Sequence, residues 1–598
     1  MDYVIRTEGL TREFGDRRAV DGLDIEVKAG EVFGLLGPNG AGKTTTIRML
    51  TTLLPPTRGR ALVCGFDVLR EPSEVRRRIG YVSQEKGVRH LLTARESVEI
   101  EADLHHVPRR DRDDRVAEVL DVVGLLADAD RQVAEFSGGM LKRLDLASGL
   151  LQRPEVLILD EPTLGLDVQS RHRIWEHVAQ LRDQGVSVLL TTNYLDEADR
   201  LCDRIAIIDA GREVVAGAPD ELKRSVGSDV LHVVTDDVPG LRDIVQGRDW
   251  AHRFLEAGPR TVHIHVGDAM AALAVVAGEA REHGVALEQV GYQRPTLDDV
   301  FLLHTGRGLR GTDGERLPVP APVPRAAAAG PRRPAVHGAL RGRRQETAAL
   351  LRRWYLQLSR ERLNLLFTLL QPAIWLVFFG SSLRRAVDPG TVADADYIAF
   401  MLPGVIAFTA VGLGVSGAVP LLWDKETGYL GRLMSMPLAR SSIVNSRIFF
   451  QMALGAVQAA VILLVALALG ARPAAHAGDA LLVLVAMMLL TGALTAGFIA
   501  LAYSSSSHTT FFAISGFASF PLLFASNAFV PLDAMPHWLA AVARCNPLTY
   551  AIEVTRGLVL DGWHTGLVRP LLVLLLFTAG CLVAVGRKSP ARSGGGLR

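Results

Sequence analysis

The stretch VFGLLGPNGAGKTT, residues 32–45, decides the fold of the N-terminal part of this chain. Its apolar start, Val32–Leu36, ends at a glycine and predicts a buried parallel strand. The following residues, 37–44, fit the spacing G-x-x-x-x-G-K-[ST] of a phosphate-binding loop. The glycines let backbone N–H groups approach a phosphate at the N-terminus of the next helix. By itself this loop predicts only that the domain binds a nucleotide.

The loop supplies most of the predicted nucleotide contacts. Lys43 offers a cation to the β- and γ-phosphates, and the Thr44 hydroxyl is a candidate Mg²⁺ ligand. The residues predicted to line the nucleotide here are Gly37, Pro38, Asn39, Gly40, Ala41, Gly42, Lys43, Thr44 and Thr45.

A second motif is an apolar strand that ends in two carboxylates. Residues 156–159 (VLIL) predict the strand, and Asp160 and Glu161 follow it directly. Asp160 is placed to hold Mg²⁺, directly or through water, and Glu161 to polarise an attacking water. Paired acids at a strand end are often only solvated caps. The phosphate-binding loop is what favours the catalytic interpretation.

A third motif, FSGGMLKR at 136–143, precedes the helical pattern LDLASGLL. A Ser at the N-cap followed by two glycines predicts another helix start that can bind an anion. An ordinary capped helix is the alternative interpretation of this tetrapeptide.

In order and spacing, residues 3–225 resemble an ATP-binding cassette protein. The motifs that carry the resemblance are the phosphate loop, Gln84 in YVSQE, Ser137-Gly-Gly-Met, Asp160-Glu161 and Gly165-Leu-Asp167. The resemblance implies ATP as the nucleotide, and Mg²⁺ held by Thr44, Gln84 and Asp160. It also implies that Phe14 stacks on adenine and that Gln84 faces the membrane domain. Across the dimer, it implies that Ser137, Gly138 and Gly139 close over the γ-phosphate bound by another subunit. Asp167 would link the two ATP sites.

One position departs from the family pattern. The family usually has a histidine in the segment TTNYLDEA, residues 191–198, where this chain has Asn193. An amide can hydrogen-bond a γ-phosphate, but it cannot titrate or shuttle a proton. We therefore expect hydrolysis with Glu161 as the main catalytic residue, assisted by Gln84 and Asn193, with slow turnover as an open alternative.

Residues 226–305 predict a smaller α+β lobe. Strands are predicted at 230–235, 261–266 and 285–293, with a helix at 268–283. Its end, QRPTLDDVFL at 293–302, resembles the tail of daunorubicin-resistance-type ATPases, as does the form TTxYLDEAD. Nothing in this lobe looks catalytic, so we expect a regulatory or dimer-supporting role. Residues 306–345, rich in Pro, Ala, Gly and Arg, predict a flexible linker.

The C-terminal region, 346–590, predicts a membrane domain. An Arg-rich amphipathic stretch at 346–362 leads into long uncharged runs, each about as long as a hydrocarbon core requires of a helix. Six spans are predicted, near 363–383, 398–420, 449–470, 480–503, 509–530 and 570–586. The fold class is therefore multidomain: an α/β P-loop NTPase domain with a small α+β lobe, followed by an all-α domain of six transmembrane helices.

Basic residues predict the orientation of this region. The loop between the second and third spans and the C-terminal tail are both basic, which places them inside. The residues concerned are Lys425, Arg432, Arg440 and Arg447 in the loop, and Arg587, Lys588, Arg592 and Arg598 in the tail. No signal peptide precedes the N-terminal domain, so both termini and the nucleotide domain are expected in the cytoplasm of a bacterial cell.

Two segments resemble type-2 ABC permeases. DKETGYLGRL, residues 424–433, looks like the coupling helix that docks on the nucleotide domain near Gln84, although a solvated loop is the alternative. Residues 529–539 and 546–556 suggest short helices that dip back at the outer face. No charge lies in the middle of the six spans, where one costs about 2.5–3.5 kcal/mol, which argues against proton-coupled antiport.

Together these patterns predict an ATP-driven exporter that works as a dimer, most simply with a second copy of itself. The cargo predicted is an amphipathic or hydrophobic antibiotic, drug, lipid or glycolipid, and the setting is the bacterial cytoplasmic membrane. A net charge of +1 gives no reason to expect a nucleic-acid partner. The alternative is an ATP-driven signalling or mechanical device that moves no substrate.

Overall fold

A computed structural model describes residues 3–85, 87, 91–226, 229–293, 296–305, 336–383, 397–469, 476–505, 507–528 and 530–588. The predicted linker between 306 and 335 and the basic tail beyond 588 lie outside these residues.

The N-terminal domain is an α/β unit with two sheets. Its strands are β1 (Tyr3–Phe14), β2 (Arg17–Leu23), β3 (Glu26–Lys28), β4 (Val32–Leu36), β5 (Arg58–Val63), β6 (Phe66–Asp67), β7 (Ile79–Val82), β8 (Val156–Asp160), β9 (Ser187–Thr192), β10 (Arg204–Asp209) and β11 (Arg212–Gly217). Its helices are α1 (Lys43–Leu50), α2 (Pro72–Arg78), α3 (Ala94–Leu104), α4 (Arg109–Val122), α5 (Gly138–Leu150), α6 (Val168–Asp183), α7 (Leu195–Leu201) and α8 (Pro219–Val226).

The larger sheet has the order β11-β10-β4-β9-β8-β7, and the pairs from β10 to β7 are parallel. The smaller sheet, β2-β1-β5-β6 with β3 beside β1, is antiparallel. All five residues of β4 and of β8 are buried, which confirms the two predicted strands. Since parallel strands end at one edge of a sheet, the segments that follow β4, β8 and β9 meet there.

The lobe that follows contains a four-stranded antiparallel sheet in the order β13-β14-β12-β15. Its elements are β12 (Asp229–Thr235), α9 (Val238–Val245), β13 (Ala251–Glu256), β14 (Thr261–Val266), α10 (Ala269–Glu282), β15 (Leu287–Gln293) and α11 (Leu297–Thr305). The sequence analysis missed strand β13. Helix α11 packs Leu297, Val300 and Phe301 into the hydrophobic cluster of the N-terminal domain rather than that of the lobe.

The C-terminal domain is entirely helical in its described residues. It contains α12 (Val336–Arg360), α13 (Arg362–Leu383), α14 (Tyr397–Glu426), α15 (Tyr429–Ser435), α16 (Arg440–Ala468), α17 (Ala477–Ser504), α18 (His508–Phe524), α19 (His537–Cys545), α20 (Pro547–Leu560) and α21 (Val568–Lys588). Among the residues that the structure describes, four helices are long and apolar enough to cross a membrane: Ile398–Glu426, Arg440–Ala468, Gly478–Ser504 and Thr565–Arg587. The first and fifth predicted spans correspond to the shorter apolar helices Leu366–Phe378 and His508–Phe524.

The linker prediction is wrong for residues 336–345, because helix α12 already begins at Val336. Later in this helix, buried Trp354 packs beside Arg353, whose guanidinium lies 4.5 Å from the ring centroid. The same Arg353 donates two hydrogen bonds, of 2.8 and 2.6 Å, to the buried carboxylate of Asp424 at the end of α14. The Pro, Gly and Ala content of this stretch predicted a linker, because helix propensity does not include the tertiary contacts that hold the C-terminal part of α12.

The predicted coupling segment, 424–433, is divided between two helices. Asp424, Lys425 and Glu426 form the last residues of α14, and a new helix, α15, starts after Gly428. Gly428 has a φ of 79°, in the left-handed region, and glycine adopts this conformation at low energetic cost. We call α15, residues 429–435, the docking helix.

Candidate functional site

The phosphate-binding loop connects β4 to α1 at the carboxyl edge of the larger sheet. Gly42 precedes α1 with φ of 108°, and a Cβ at this position would lie 2.5 Å from the backbone oxygen of Ala19. Only glycine fits so strained and crowded a position. The loop backbone is therefore fixed by its glycines, with the N-terminus of α1 facing the space where phosphates bind in such loops.

Lys43 is buried under this loop. Its ammonium group donates to the carbonyl oxygen of Gly37 at 2.6 Å and to that of Pro38 at 3.3 Å. It also donates to the side-chain oxygen of Asn193 and lies 3.8 Å from Glu161 Oε1. Burial lowers the pKa of Lys43, while Glu161 and Asp160 oppose that shift.

Glu161 is held from both sides by amide groups. Gln84 Nε2 donates to its Oε2 at 2.8 Å, and Asn193 Nδ2 donates to its Oε1 at 3.1 Å. The same Asn193 nitrogen lies 3.1 Å from Asn39 Oδ1 in the phosphate-binding loop. Three segments that the sequence analysis selected separately are thus brought together around one carboxylate.

Glu161 has an unusual backbone conformation and a shifted side-chain pKa. Its φ of 48° is in the left-handed region, which costs a residue with a side chain on the order of 1–3 kcal/mol. Burial raises its pKa; Lys43 opposes this, and neighbouring Asp160 adds to it. A strained backbone and a raised carboxyl pKa are features that cluster at catalytic sites.

Asp160 lies beside the first turn of α1. Thr191 Oγ1 donates to Asp160 Oδ1 at 2.6 Å, and Thr44 Oγ1 lies 3.4 Å from the same oxygen. Asp160 Oδ2 is buried and has no hydrogen-bond partner among the described residues. A buried carboxylate oxygen without a donor, next to a threonine hydroxyl, fits a hard divalent cation such as Mg²⁺. Burial raises the pKa of Asp160.

Other predicted site residues lie away from this group. Phe14 ends β1 and is 39% exposed as a residue, with the Arg12 guanidinium 4.7 Å from its ring centroid. Ser137 caps α5 by accepting a hydrogen bond from Met140 N, and Asp167 caps α6 by accepting one from Ser170 N. In the described residues these caps bond within their own helices, not to the phosphate-binding loop.

The signature helix and the segment after Asp167 are in contact. A Cβ at Gly139 would lie 2.8 Å from Ser170 Cβ, so α5 and α6 meet closely at their starts. Around them the surface is open: Ser137 and Asp167 are exposed, as are the apolar side chains of Leu164 at 38% and Val168 at 67%.

The docking helix lies against the N-terminal domain. Arg432 donates to Glu101 Oε2 at 3.0 Å and also to Asp145 Oδ1, and all three side chains are buried. Burial opposes the charge on Arg432, but Glu101 and Asp145 together raise its pKa. An ion triad in such a setting is sensitive to the loss of any partner.

This interface also reaches the segment that carries Gln84. A Cβ at Gly428 would lie 2.0 Å from Glu85 Oε2, and one at Gly87 would lie 3.1 Å from the ring of Tyr429. Glu85 follows Gln84, whose side chain holds Glu161. A short chain of contacts therefore joins the docking helix to the carboxylate at the candidate site.

Comparison of the sequence with protein-family models and with known proteins places these features in a known family. A model described as "ABC transporter" matches residues 20–164, and one described as "ABC-2 type transporter" matches residues 345–560. A daunorubicin resistance ATP-binding protein of Streptomyces coeruleorubidus is 43% identical over 316 residues, which are 52% of this chain and 98% of that protein. This chain is an ATP-binding cassette transporter.

Further relatives are a Nod factor export ATP-binding protein of Ralstonia nicotianae (38% identical, 51% of this chain, 95% of that protein) and a linearmycin resistance ATP-binding protein of Bacillus subtilis (36%, 51% and 100%). A solved ATP-binding subunit of an ABC transporter is 28% identical, covers 37% of this chain and 92% of that chain, and superimposes with a TM-score of 0.35.

The transporter carries its ATPase domain and its membrane domain in one polypeptide. The predicted fold class is confirmed: an ABC-type P-loop ATPase is followed by a helical membrane domain. The chain is an ATP hydrolase whose reaction is coupled to transport. The resemblance stated from its motifs is thereby confirmed as well.

Some functional residues of this transporter escaped the sequence analysis. Thr191 fixes Asp160 and also accepts a hydrogen bond from Glu161 N at 3.1 Å. A pair of threonines at the end of an apolar strand was a usable signal for it. Glu101 and Asp145 gave no such signal, because both helices contain other charged residues that resemble them in sequence.

Proposed function

We propose that two copies of this chain form an exporter of amphipathic or hydrophobic compounds, such as antibiotics, drugs, lipids or glycolipids, in the bacterial cytoplasmic membrane. The observation that carries the proposal is the buried triad of Arg432, Glu101 and Asp145, because it fastens the membrane domain to the ATPase beside the catalytic segment. The names of relatives, which refer to drug resistance and to export, support the direction of transport.

In the proposed reaction, Glu161 orients the attacking water and accepts its proton as general base. Gln84 and Asn193 hold the carboxylate in place, and Asn193 also positions Lys43, whose ammonium group faces the β- and γ-phosphates. The surrounding burial excludes bulk water and strengthens these electrostatic contacts.

We assign Mg²⁺ to Thr44 and Asp160, with Gln84 nearby. The Oδ2 of Asp160, which has no hydrogen-bond partner in the described part of the chain, and the neighbouring threonine hydroxyl support this assignment. When bound, Mg²⁺ neutralises charge on the transferred phosphate. Backbone groups from Gly37 to Thr45 cradle the phosphates, and the half-exposed Phe14 ring receives the adenine.

The site is proposed to be completed by a second copy. Ser137 and Asp167 bond within their own helices in one chain and are exposed, and Gly138 and Gly139 follow Ser137 at the start of the same helix. The exposed apolar side chains of Leu164 and Val168 border that surface, as expected for a region covered on dimerisation. Two chains then form two ATP sites, each with residues from both copies.

The docking helix places the α14–α16 connection on the side of the ATPase. This arrangement supports a cytoplasmic position for that basic connection and for the N-terminal domain. ATP-driven closure of the two ATPase domains is transmitted to α14 and α16 through the contact of Gly428 with Glu85 and through the buried triad.

The proposed function is tested by transport into inside-out membrane vesicles. Daunorubicin, whose fluorescence reports accumulation, is the probe, together with a panel of amphipathic drugs and labelled lipids. ATP-dependent uptake by the wild-type chain, absent from vesicles lacking it, is the expected result. ATPase activity without uptake of any panel member would instead favour the signalling or mechanical device.

The Asn193 position gives a prediction about pH. The ATPase rate of the wild-type protein is expected to fall in one step on acidification, as Glu161 takes up a proton. Because burial raises its pKa, this step should lie above the ordinary carboxyl value of 4.5. Asn193→His introduces a group with an ordinary pKa of about 6.5 and should add a second step.

The measurement is the steady-state rate across pH 5–9 for both proteins at saturating ATP. Asn193→Gln, which keeps an amide, is the matched control and should retain the single step. Superimposable profiles of the wild type and the histidine variant would contradict a role for residue 193 at the reacting groups.

A further inference from the structure

The lobe sheet carries a cluster of histidines on one face. His232 of β12 and His263 of β14 are direct cross-strand partners. Alternation along β14 directs Val262, Ile264 and Val266 into the apolar core of the lobe, so His263 occupies the opposite face. Helix α11 supplies Asp299, which contacts His263 on this opposite face.

The three side chains converge. His263 Nδ1 and Asp299 Oδ1 are 2.7 Å apart, and the rings of His232 and His263 have centroids 4.0 Å apart. One ligand atom from each of the three residues lies within 4.8 Å of the others. We call His232, His263 and Asp299 the lobe cluster.

The carboxylate of the cluster is fixed before any ligand binds. Asp299 is fully buried, and its Oδ2 accepts hydrogen bonds from Thr296 N at 2.8 Å and from Thr296 Oγ1 at 2.7 Å. Burial by itself would raise the pKa of Asp299, but the hydrogen bonds from His263 and Thr296 lower it to about 2. These hydrogen bonds hold the carboxylate with its Oδ1 directed at His263.

Further imidazole nitrogens lie on or near this face. His232 Nε2 and both ring nitrogens of His265 are buried without a hydrogen-bond partner among the described residues. Buried polar atoms are normally satisfied, so this face of the sheet is short of donors or of a cation.

We propose that His232, His263 and Asp299 bind a divalent transition metal ion, with Zn²⁺ as the ion that this donor set suits. Two imidazoles and one carboxylate are a ligand set found for Zn²⁺, with the fourth position left for water. Ligation replaces the hydrogen bond between His263 and Asp299 with two bonds to one ion. The site is distinct from the ATP site and does not depend on the proposed function.

The position of the site gives the ion a structural consequence. Asp299 lies on α11, whose Leu297, Val300 and Phe301 belong to the hydrophobic cluster of the ATPase domain. The histidines belong to the lobe sheet. A bound ion therefore ties the lobe to the ATPase domain, and it stabilises whichever arrangement holds the three ligands together.

The test uses the full-length chain in detergent, treated with chelator and free of nucleotide. Zn²⁺ binding is measured by titration against a metal-sensitive dye, and Co²⁺ is used as a spectroscopic probe of four-coordinate geometry. The wild type is expected to bind one equivalent that His232→Ala weakens at least about tenfold. His283→Ala, an exposed histidine of the same lobe, is the matched control and should bind as the wild type does.

Asp299→Asn provides a second variant that keeps the shape of the side chain, and metal-free melting curves show whether each variant folds. Zn²⁺ should also slow amide hydrogen exchange in β12 and β14 of the wild type but not of His232→Ala. Equal Zn²⁺ stoichiometry and affinity in the wild type, His232→Ala and Asp299→Asn would overturn the proposal and leave an ordinary hydrogen-bonded His–Asp pair.

Discussion

Replacing Glu161 by Gln is expected to lower the steady-state ATPase rate at least about 100-fold, the lower end of what a general base contributes. The amide keeps the size of the side chain but cannot accept a proton. Gln84 and Asn193 then face a side-chain amide, which has one acceptor oxygen and one donor nitrogen, instead of a carboxylate with two acceptor oxygens. ATP binding should survive, because Lys43 and the phosphate-binding loop are unchanged.

The measurement is phosphate release by the purified protein in lipid, beside binding of a fluorescent ATP analogue. Glu155→Gln is the matched control, since Glu155 precedes the same strand but has a side chain that is 57% exposed and pairs with Arg78. The control should hydrolyse ATP at the wild-type rate. An active Glu161→Gln protein would refute the assignment of Glu161 as general base.

Replacing Arg432 by Met is expected to destabilise the junction between the two domains and to abolish most transport. Two buried carboxylates, Glu101 and Asp145, lose the guanidinium that they share. Removing one partner of a buried ion pair costs on the order of 3–5 kcal/mol. We expect a lower melting temperature and a fall in vesicle uptake of at least about tenfold, which corresponds to about 1.4 kcal/mol.

Arg352 offers the matched control for this prediction. It crosses the same junction to Glu99 at 2.6 Å, but its side chain is 38% exposed, and exposed pairs contribute about 0–1 kcal/mol. Arg352→Met should therefore melt and transport nearly as the wild type does. Arg432→Lys keeps the charge and should recover part of both properties. Equal melting and uptake for Arg432→Met and Arg352→Met would contradict the proposed importance of burial.

Much of the candidate site was predictable because its motifs are local. The phosphate-binding loop, for example, needs a strand, glycines such as Gly42, and a helix that begins at Lys43, all within a few residues. Asp160 and Glu161 similarly follow a strand that its apolar residues made recognisable. Such patterns are readable since backbone conformation and hydrophobic period depend on neighbouring residues.

Errors arose where tertiary contacts overrode local preference. Helix α12 begins at Val336, inside a stretch whose composition predicted a linker, and the docking helix starts at Tyr429 rather than at Asp424. Asp424 instead ends α14, where Arg353 holds it from another helix. Helix α11 belongs in sequence to the lobe but packs its apolar residues against the ATPase domain.

The sequence by itself determined the family, the order of the two domains, and the residues that surround the phosphates, since each of these rests on short runs of adjacent residues. The tertiary structure decided which distant groups meet. Arg432 contacts Glu101 across 331 residues and Asp145 across 287, and His263 of the lobe sheet meets Asp299 of α11 across 36. Contacts of this kind depend on how whole helices and strands pack together, and the local periodicity of apolar residues does not specify that packing.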